Sequence, residues 1–188
     1  MSPTQASSTR SIGSPAVTVD KVFLVGFMAA GKTTVARALA GRLGWRVEDV
    51  DELIEARERR TVAEIFARQG EPYFRAVERE ILQLLLPLRH VVVATGGGTF
   101  ADPDNRGAMN LDGVTVWLDV PFEEVLGRLP LDGRRPLAAD RTQMERLFAT
   151  RQLAYAQAHL RVDATGARAE AVAERIMDGI TQMERRPL

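Results

Sequence analysis

Gly26, Gly31, Lys32 and Thr33 complete a Gly-x-x-x-x-Gly-Lys-Thr pattern, and their spacing defines a specific chemistry. Glycines at those places let a loop close tightly enough to aim backbone N–H groups at phosphate oxygens, and a helix starting there turns its positive end toward the same anion. The Lys32 ammonium can reach β- and γ-phosphates, and the Thr33 hydroxyl can ligate Mg²⁺. With glycine near 7% of average usage, the pattern arises by chance in about one chain of this length per hundred. The spacing points to a nucleoside triphosphate, with Ala29, Ala30 and Thr34 in the same contact zone. Whether water or a substrate hydroxyl receives a phosphoryl group is left open by the loop alone.

Three further clusters carry candidate acceptor chemistry. Asp49 and Asp51 stand two apart after a strand-like run, so they point the same way if the strand persists. One could then hold Mg²⁺ through water while the other meets an acceptor hydroxyl, the alternative being a solvated loop. Arg75 and Glu78, three apart on a helical stretch, are either a surface ion pair of small worth or a guanidinium fork offered to a ligand carboxylate and oriented by the glutamate. Gly96, Gly97 and Gly98 remove every β-carbon, so backbone can come against a flat or ring-shaped ligand. His90 and His159 read as surface or helix-end residues and Trp45 and Trp117 as core. With no cysteine in the chain, neither thiol catalysis nor Cys-ligated zinc is available.

These groups can meet only if a sheet gathers them. Short runs rich in Val, Ile and Leu predict strands at Val22–Val25, Arg46–Asp49, Val91–Ala94, Val114–Leu118 and Leu160–Val162. The first, third and fourth are nearly continuous apolar runs, as strands buried on both faces require. Helical spacing lies between them: Val35, Leu39 and Leu43 recur every four residues, Thr61-x-x-Glu64 has the form of a capping box, and Asp102-Pro103 and Val120-Pro121 look like helix starts. The expectation is a three-layer α/β/α domain on a five-stranded parallel sheet. Ligands in such sheets collect outside the carboxyl ends of the strands, where the phosphate loop and all three clusters fall.

Composition agrees. Over 188 residues, 45% hydrophobic content and equal counts of 25 basic and 25 acidic side chains suit one compact domain and exclude a general polyanion binder, so no nucleic acid is expected. The longest apolar run, Val22 to Gly31, is about half of what a bilayer crossing needs. A soluble, cytoplasmic protein is expected. Residues 1–18, rich in Ser, Thr and Pro, read as a disordered tail preceding a single domain over 19–188. Residues 129–140, dense in Gly, Pro, Asp and Arg, read as a mobile surface loop.

Taken in order, Gly-Phe-Met-x-x-Gly-Lys-Thr-Thr, Asp49-x-Asp51-x-x-Ile54-Glu55, the stretch from Ile65 to Glu78 that contains Gly70-Glu71-x-x-Phe74-Arg75-x-x-Glu78, Ala94-Thr95-Gly-Gly-Gly and Arg134-Arg135-Pro136-Leu137 resemble shikimate kinase. The likeness runs from about Val22 to Val162. It implies the nucleoside-monophosphate-kinase fold with a mobile lid over about 129–140, a shikimate-binding region over about 49–80, and ATP- and Mg²⁺-dependent phosphorylation of the shikimate 3-hydroxyl in chorismate biosynthesis. By resemblance Lys32, Asp51 and Arg135 are the catalytic set, Thr33 and Asp49 are associated with the metal, and Asp51 binds substrate hydroxyls. Arg75 and Arg151 would hold the shikimate carboxylate, Gly96 to Gly98 would wall the substrate pocket, Arg135 would close over the γ-phosphate, and Arg128 would lie near the adenine. A monomer is expected. Two positions depart from the family pattern: Arg151-Gln-Leu-Ala-Tyr155 stands where Arg-x-Pro-Leu-Tyr is usual, and Ala138 replaces a second leucine. Another kinase of this fold, for gluconate or a nucleoside monophosphate, is the nearest alternative, followed by a non-catalytic kinase-like protein that binds nucleotide or sugar acid and serves regulation.

Overall fold

The structure, a computed structural model, describes residues 19–129 and 141–185. Residues 1–18 and nearly all of the expected lid, Arg135 included, lie outside them. Strands β1 (Lys21–Val25), β2 (Arg46–Asp49), β3 (Val91–Ala94), β4 (Val114–Asp119) and β5 (Leu160–Asp163) form one sheet in the order β2-β3-β1-β4-β5. Every pairing is parallel. The continuous apolar runs are the buried central strands, while the polar-bearing β2 and β5 form the edges.

Right-handed crossovers fix the layers. The path from β1 to β2 runs one way across the sheet and the later connections run the other way. Helix α1 (Lys32–Leu43) therefore lies on one face, where it packs against the C-terminal helix α7 (Ala169–Glu184). Helices α3 (Val62–Leu85), α4 (Pro103–Asp112) and α6 (Arg141–Tyr155) follow crossovers of the opposite sense and take the other face. The reversal falls between β1 and β3, so a crevice opens beyond their carboxyl ends. Thr95, just past β3, spans that junction by donating its N–H and hydroxyl to Leu24 O at 3.2 and 3.0 Å.

The helix-start signals hold. Thr61 Oγ1 accepts from Glu64 N, and the Glu64 carboxylate accepts from Thr61 N at 2.8 Å. Asp102 caps α4 ahead of Pro103, and α5 (Phe122–Arg128) follows Pro121. Helix α3 is broken at Gly70 by a left-handed φ of 79°, and Pro72, which has no N–H to give, fits the first turn of the restarted segment. Arg75 and Glu78 therefore ride on a fresh helix start. One expectation fails: the strand does not persist to Asp51. Asp49 ends β2 and caps α2 (Val50–Glu58), since its carboxylate accepts from Asp51 N and Glu52 N more favourably than an edge strand could continue.

At the amino end of the sheet, Lys21 is fully buried. Its ammonium donates to Leu85 O at 3.1 Å and Leu86 O at 2.5 Å and pairs with Asp112, so it neutralises the carbonyl end of α3 and the last residue of α4.

Candidate active site

The loop from β1 to α1 is shaped by its glycines. Gly26 has φ 142°, and a β-carbon there would stand 2.8 Å from Leu118 O. Gly31, at φ 89°, precedes the first turn of α1. Lys32 is almost buried and donates to Gly26 O at 3.0 Å and Phe27 O at 2.8 Å, which lays its ammonium along the loop. Thr33 Oγ1 donates to Asp49 Oδ2 at 2.5 Å, while Oδ1 of the same carboxylate receives the two N–H groups of α2. A hydroxyl and a carboxylate oxygen at this spacing form a hard-oxygen pair suited to Mg²⁺, which takes one or two protein ligands and leaves the rest to water and phosphate. Among the described residues no group of three or more acidic or imidazole side chains is placed to hold a metal ion.

Two clefts meet here. A smaller one of about 230 Å³ is lined by Ala29, Gly31, Lys32, Thr33, Thr34, Asp49, Asp51, Thr95, Gly97 and Arg128. Gly26 and Ala30, within the loop, are buried and line neither cleft. Arg128 Nη1 donates to Ala29 O at 3.5 Å, and its other terminal nitrogen pairs with Glu124, whose carboxylate also accepts from Gly166 N at 2.9 Å. Arg128 is thus held over the phosphate loop by a residue that motif reading had not singled out.

The larger cleft, of about 580 Å³, shares Thr33, Asp49, Asp51 and Gly97 with the first and adds Arg75, Glu78, Gly96, Gly98 and Arg151. Its lining also includes Glu52, Glu55, Thr61, Val62, Ala63 and Phe66, which fall within the expected 49–80 region but had been given no individual role. Arg75 donates through Nη1 to Glu78 Oε2 at 2.8 Å and through Nε and Nη2 to Glu71 Oε1 at 3.1 and 3.0 Å. Glu78 is completely buried, with its other oxygen accepting from Thr99 Oγ1 at 2.7 Å, so the surface-pair reading is excluded. Partial burial works against the Arg75 charge, but Glu78 and Glu71 more than offset it and raise its pKa above the ordinary guanidinium value.

The glycine run does more than expose backbone. A β-carbon on Gly96 would lie 2.6 Å from Glu78 Oε1 and 3.1 Å from Asp51 Oδ1. One on Gly97 would lie 3.2 Å from Arg151 Nη1, and one on Gly98 would lie 2.5 Å from Arg75. Each glycine makes room for one of the charged groups that face the cleft. Arg151 is 6% exposed and stacks over Phe27 at 5.6 Å, with no carboxylate in ion-pair distance among the described residues. Burial lowers its pKa, and the group stays a cation because a guanidinium is not deprotonated in proteins. Such a cation, unmatched in a cleft, is suited to an anionic ligand. His90 and His159 line neither cleft and both are exposed, His159 accepting through Nδ1 from Thr115 N at 3.1 Å. Trp117 belongs to the core, and Trp45 is partly buried, edge-on to His90 at 5.8 Å.

The family model described as Shikimate kinase matches residues 28–181. A shikimate kinase of Geobacter metallireducens is 43% identical over 172 residues, covering 90% of this chain and 96% of that protein. One of Persephonella marina is 41% identical over 146 residues, covering 77% and 89%. Among solved structures, a shikimate kinase from Acinetobacter baumannii in complex with shikimate superposes with a TM-score of 0.86 at 34% identity, covering 90% of this chain and 97% of that one. A deoxyadenosine kinase from M. mycoides, at 15% identity and a TM-score of 0.59, shares the fold. The motif resemblance and the sheet order thus agree with whole-chain similarity, and the chain belongs to the shikimate kinase family of phosphotransferases that act on an alcohol group.

Proposed function

We propose that this protein transfers the γ-phosphate of ATP to the 3-hydroxyl of shikimate, in the smaller and larger clefts respectively. The observation that carries this reading is the shared border of the two clefts at Thr33, Asp49, Asp51 and Gly97, because in-line transfer needs donor and acceptor end to end. The loop N–H groups, Lys32, Thr33 and Thr34 hold the phosphates, and Arg128 lies toward the base. Arg75 and Arg151 take the acceptor carboxylate, which has no counterpart on a neutral sugar. Asp51, at the start of α2 beside Gly96, orients the attacking hydroxyl; in a loose transition state its proton can leave late, so a strong base is not required.

Thr33 and Asp49 would hold Mg²⁺, which supplies neutralisation of charge on the phosphate oxygens. Arg135, outside the described residues, is assigned to the γ-phosphate, with residues 129–140 as a lid that excludes competing water. Residues 1–18 are assigned as a tail outside the kinase domain. A cytoplasmic monomer completes the proposal. Among the described residues no helix is long and apolar enough to cross a membrane.

The test is an ADP-release assay over shikimate, quinate, gluconate, AMP and no acceptor. Rapid Mg²⁺-dependent turnover with shikimate alone is expected. Preferential turnover of gluconate or AMP would overturn the substrate assignment.

A further inference from the structure

Tyr155 is buried at the end of α6, four residues beyond Arg151 and packed against Trp117 at 6.0 Å between ring centroids. Its hydroxyl faces two groups that line the larger cleft, Gly97 and Arg151. It donates to Gly97 O, and the Arg151 guanidinium, one helical turn earlier on α6, bears on the same oxygen by its charge. Arg151 Nη1 in turn lies so near Gly97 that a β-carbon there would approach it to 3.2 Å. Arg151, Tyr155 and Gly97 therefore form a closed triangle with the phenol oxygen at its hub.

We infer that Tyr155 is a positioning residue for the acceptor: its hydroxyl fixes the Arg151 guanidinium and the Gly97 backbone against one another. The physical need is clear. A buried arginine without a carboxylate partner has long rotamer freedom and a strong drive toward solvent, and stacking on Phe27 restrains only its plane. A phenol that gives its proton to a backbone carbonyl presents its lone pairs to the cation, so one group sets the direction of the guanidinium and the height of the glycine floor. The inference rests on the reading that Arg151 holds the acceptor carboxylate.

Tyr155→Phe removes the hydroxyl and keeps the ring packing. Calorimetric titration with shikimate and, separately, with a non-hydrolysable ATP analogue should show about tenfold weaker shikimate binding and unchanged nucleotide binding, as loss of a hydrogen bond to a charged group implies. KM for shikimate should rise by the same factor while kcat changes little. A purely structural role would weaken both ligands together, and that result, or unchanged shikimate affinity, overturns the inference. A melting curve of Tyr155→Phe, read alongside the two titrations, separates an affinity change from a folding defect. On an Arg151→Lys background, Tyr155→Phe should add little further loss, because the two side chains act as one unit. If Arg151→Lys itself leaves shikimate affinity intact, the reading of Arg151 fails and the inference with it. If Arg151→Lys weakens shikimate binding and Tyr155→Phe does not, only the role of Tyr155 fails.

Discussion

A β-carbon on Gly98 would stand 2.5 Å from both Nη1 and Nη2 of Arg75. Gly98 has φ −100°, open to any residue, so Gly98→Ala strains no backbone and acts only by displacing the guanidinium. It should reproduce the defect of Arg75→Ala: a rise in KM for shikimate of about tenfold or more, as loss of a charge-assisted hydrogen bond implies, with KM for ATP nearly unchanged. Steady-state kinetics with each substrate varied in turn checks this. Parallel losses for both substrates would remove Arg75 from the acceptor side.

Asp49 is both helix cap and partner of Thr33. Asparagine caps helices as well as aspartate does, so Asp49→Asn should fold normally while losing the charged oxygen facing Thr33. The Mg²⁺ concentration for half-maximal activity should rise at least about tenfold, and thermal stability should change by less than about 1 kcal/mol. A magnesium titration of initial rates alongside a melting curve separates the two effects.

For Arg135→Ala, a fall in kcat of at least about a hundredfold is expected by analogy with other arginines that neutralise charge in phosphoryl transfer. KM values should move much less. Near-normal turnover would remove the residue from the transition state.

His159 gives a pH dependence with a definite sign. Desolvation on the side facing β4 lowers its pKa, and Nδ1, accepting from Thr115 N, is placed to stay unprotonated. The unfolded chain therefore binds the proton more readily. The stabilisation is complete above the ordinary histidine value near 6.5 and is lost as pH falls through the lower folded-state pKa. Melting temperatures followed downward from pH 7 should decline faster for the native sequence than for His159→Gln, with the curves parallel above neutrality.

Lys21→Met leaves Asp112 and two helix-terminal carbonyls without their buried cation. Stability should fall by about 3 kcal/mol or more, the usual cost of breaking a buried pair. Because the residue lies at the amino end of the sheet, opposite the clefts, KM values of the folded variant should be unchanged. Chemical denaturation and kinetics on the same sample test both halves.

The parts that could be read from the chain alone were those set by local rules. Runs such as Val91–Ala94 announce a buried parallel strand, Thr61 and Glu64 announce a cap, and the glycine and lysine spacing announces the phosphate loop. The reading of Asp49 and Asp51 paired the right residues for the wrong reason, since strand alternation lost to the capping preference of Asp49 and the helix brought Asp51 to the cleft instead. Glu78 looked like a surface partner because burial by Thr99, twenty-one residues away, has no local trace. Tyr155 and Glu124 were missed on the same ground: their partners, Gly97 and Gly166, are brought to them only by the folded sheet. Glycines 96 to 98 were read as contact surface for a ring, and nothing in a triplet of glycines reveals that each yields space to a particular charged side chain.

Lysine occurs twice in this chain: Lys21 is sealed at one end of the sheet, and Lys32, 9% exposed, borders the smaller cleft at the other. An acylating reagent applied to folded protein therefore has, beyond the α-amino group, a single partly open target, and it sits in the cleft assigned to nucleotide. Protection of that one amine by added ATP, read by peptide mass, gives an occupancy gauge that needs neither a coupled enzyme nor an engineered label.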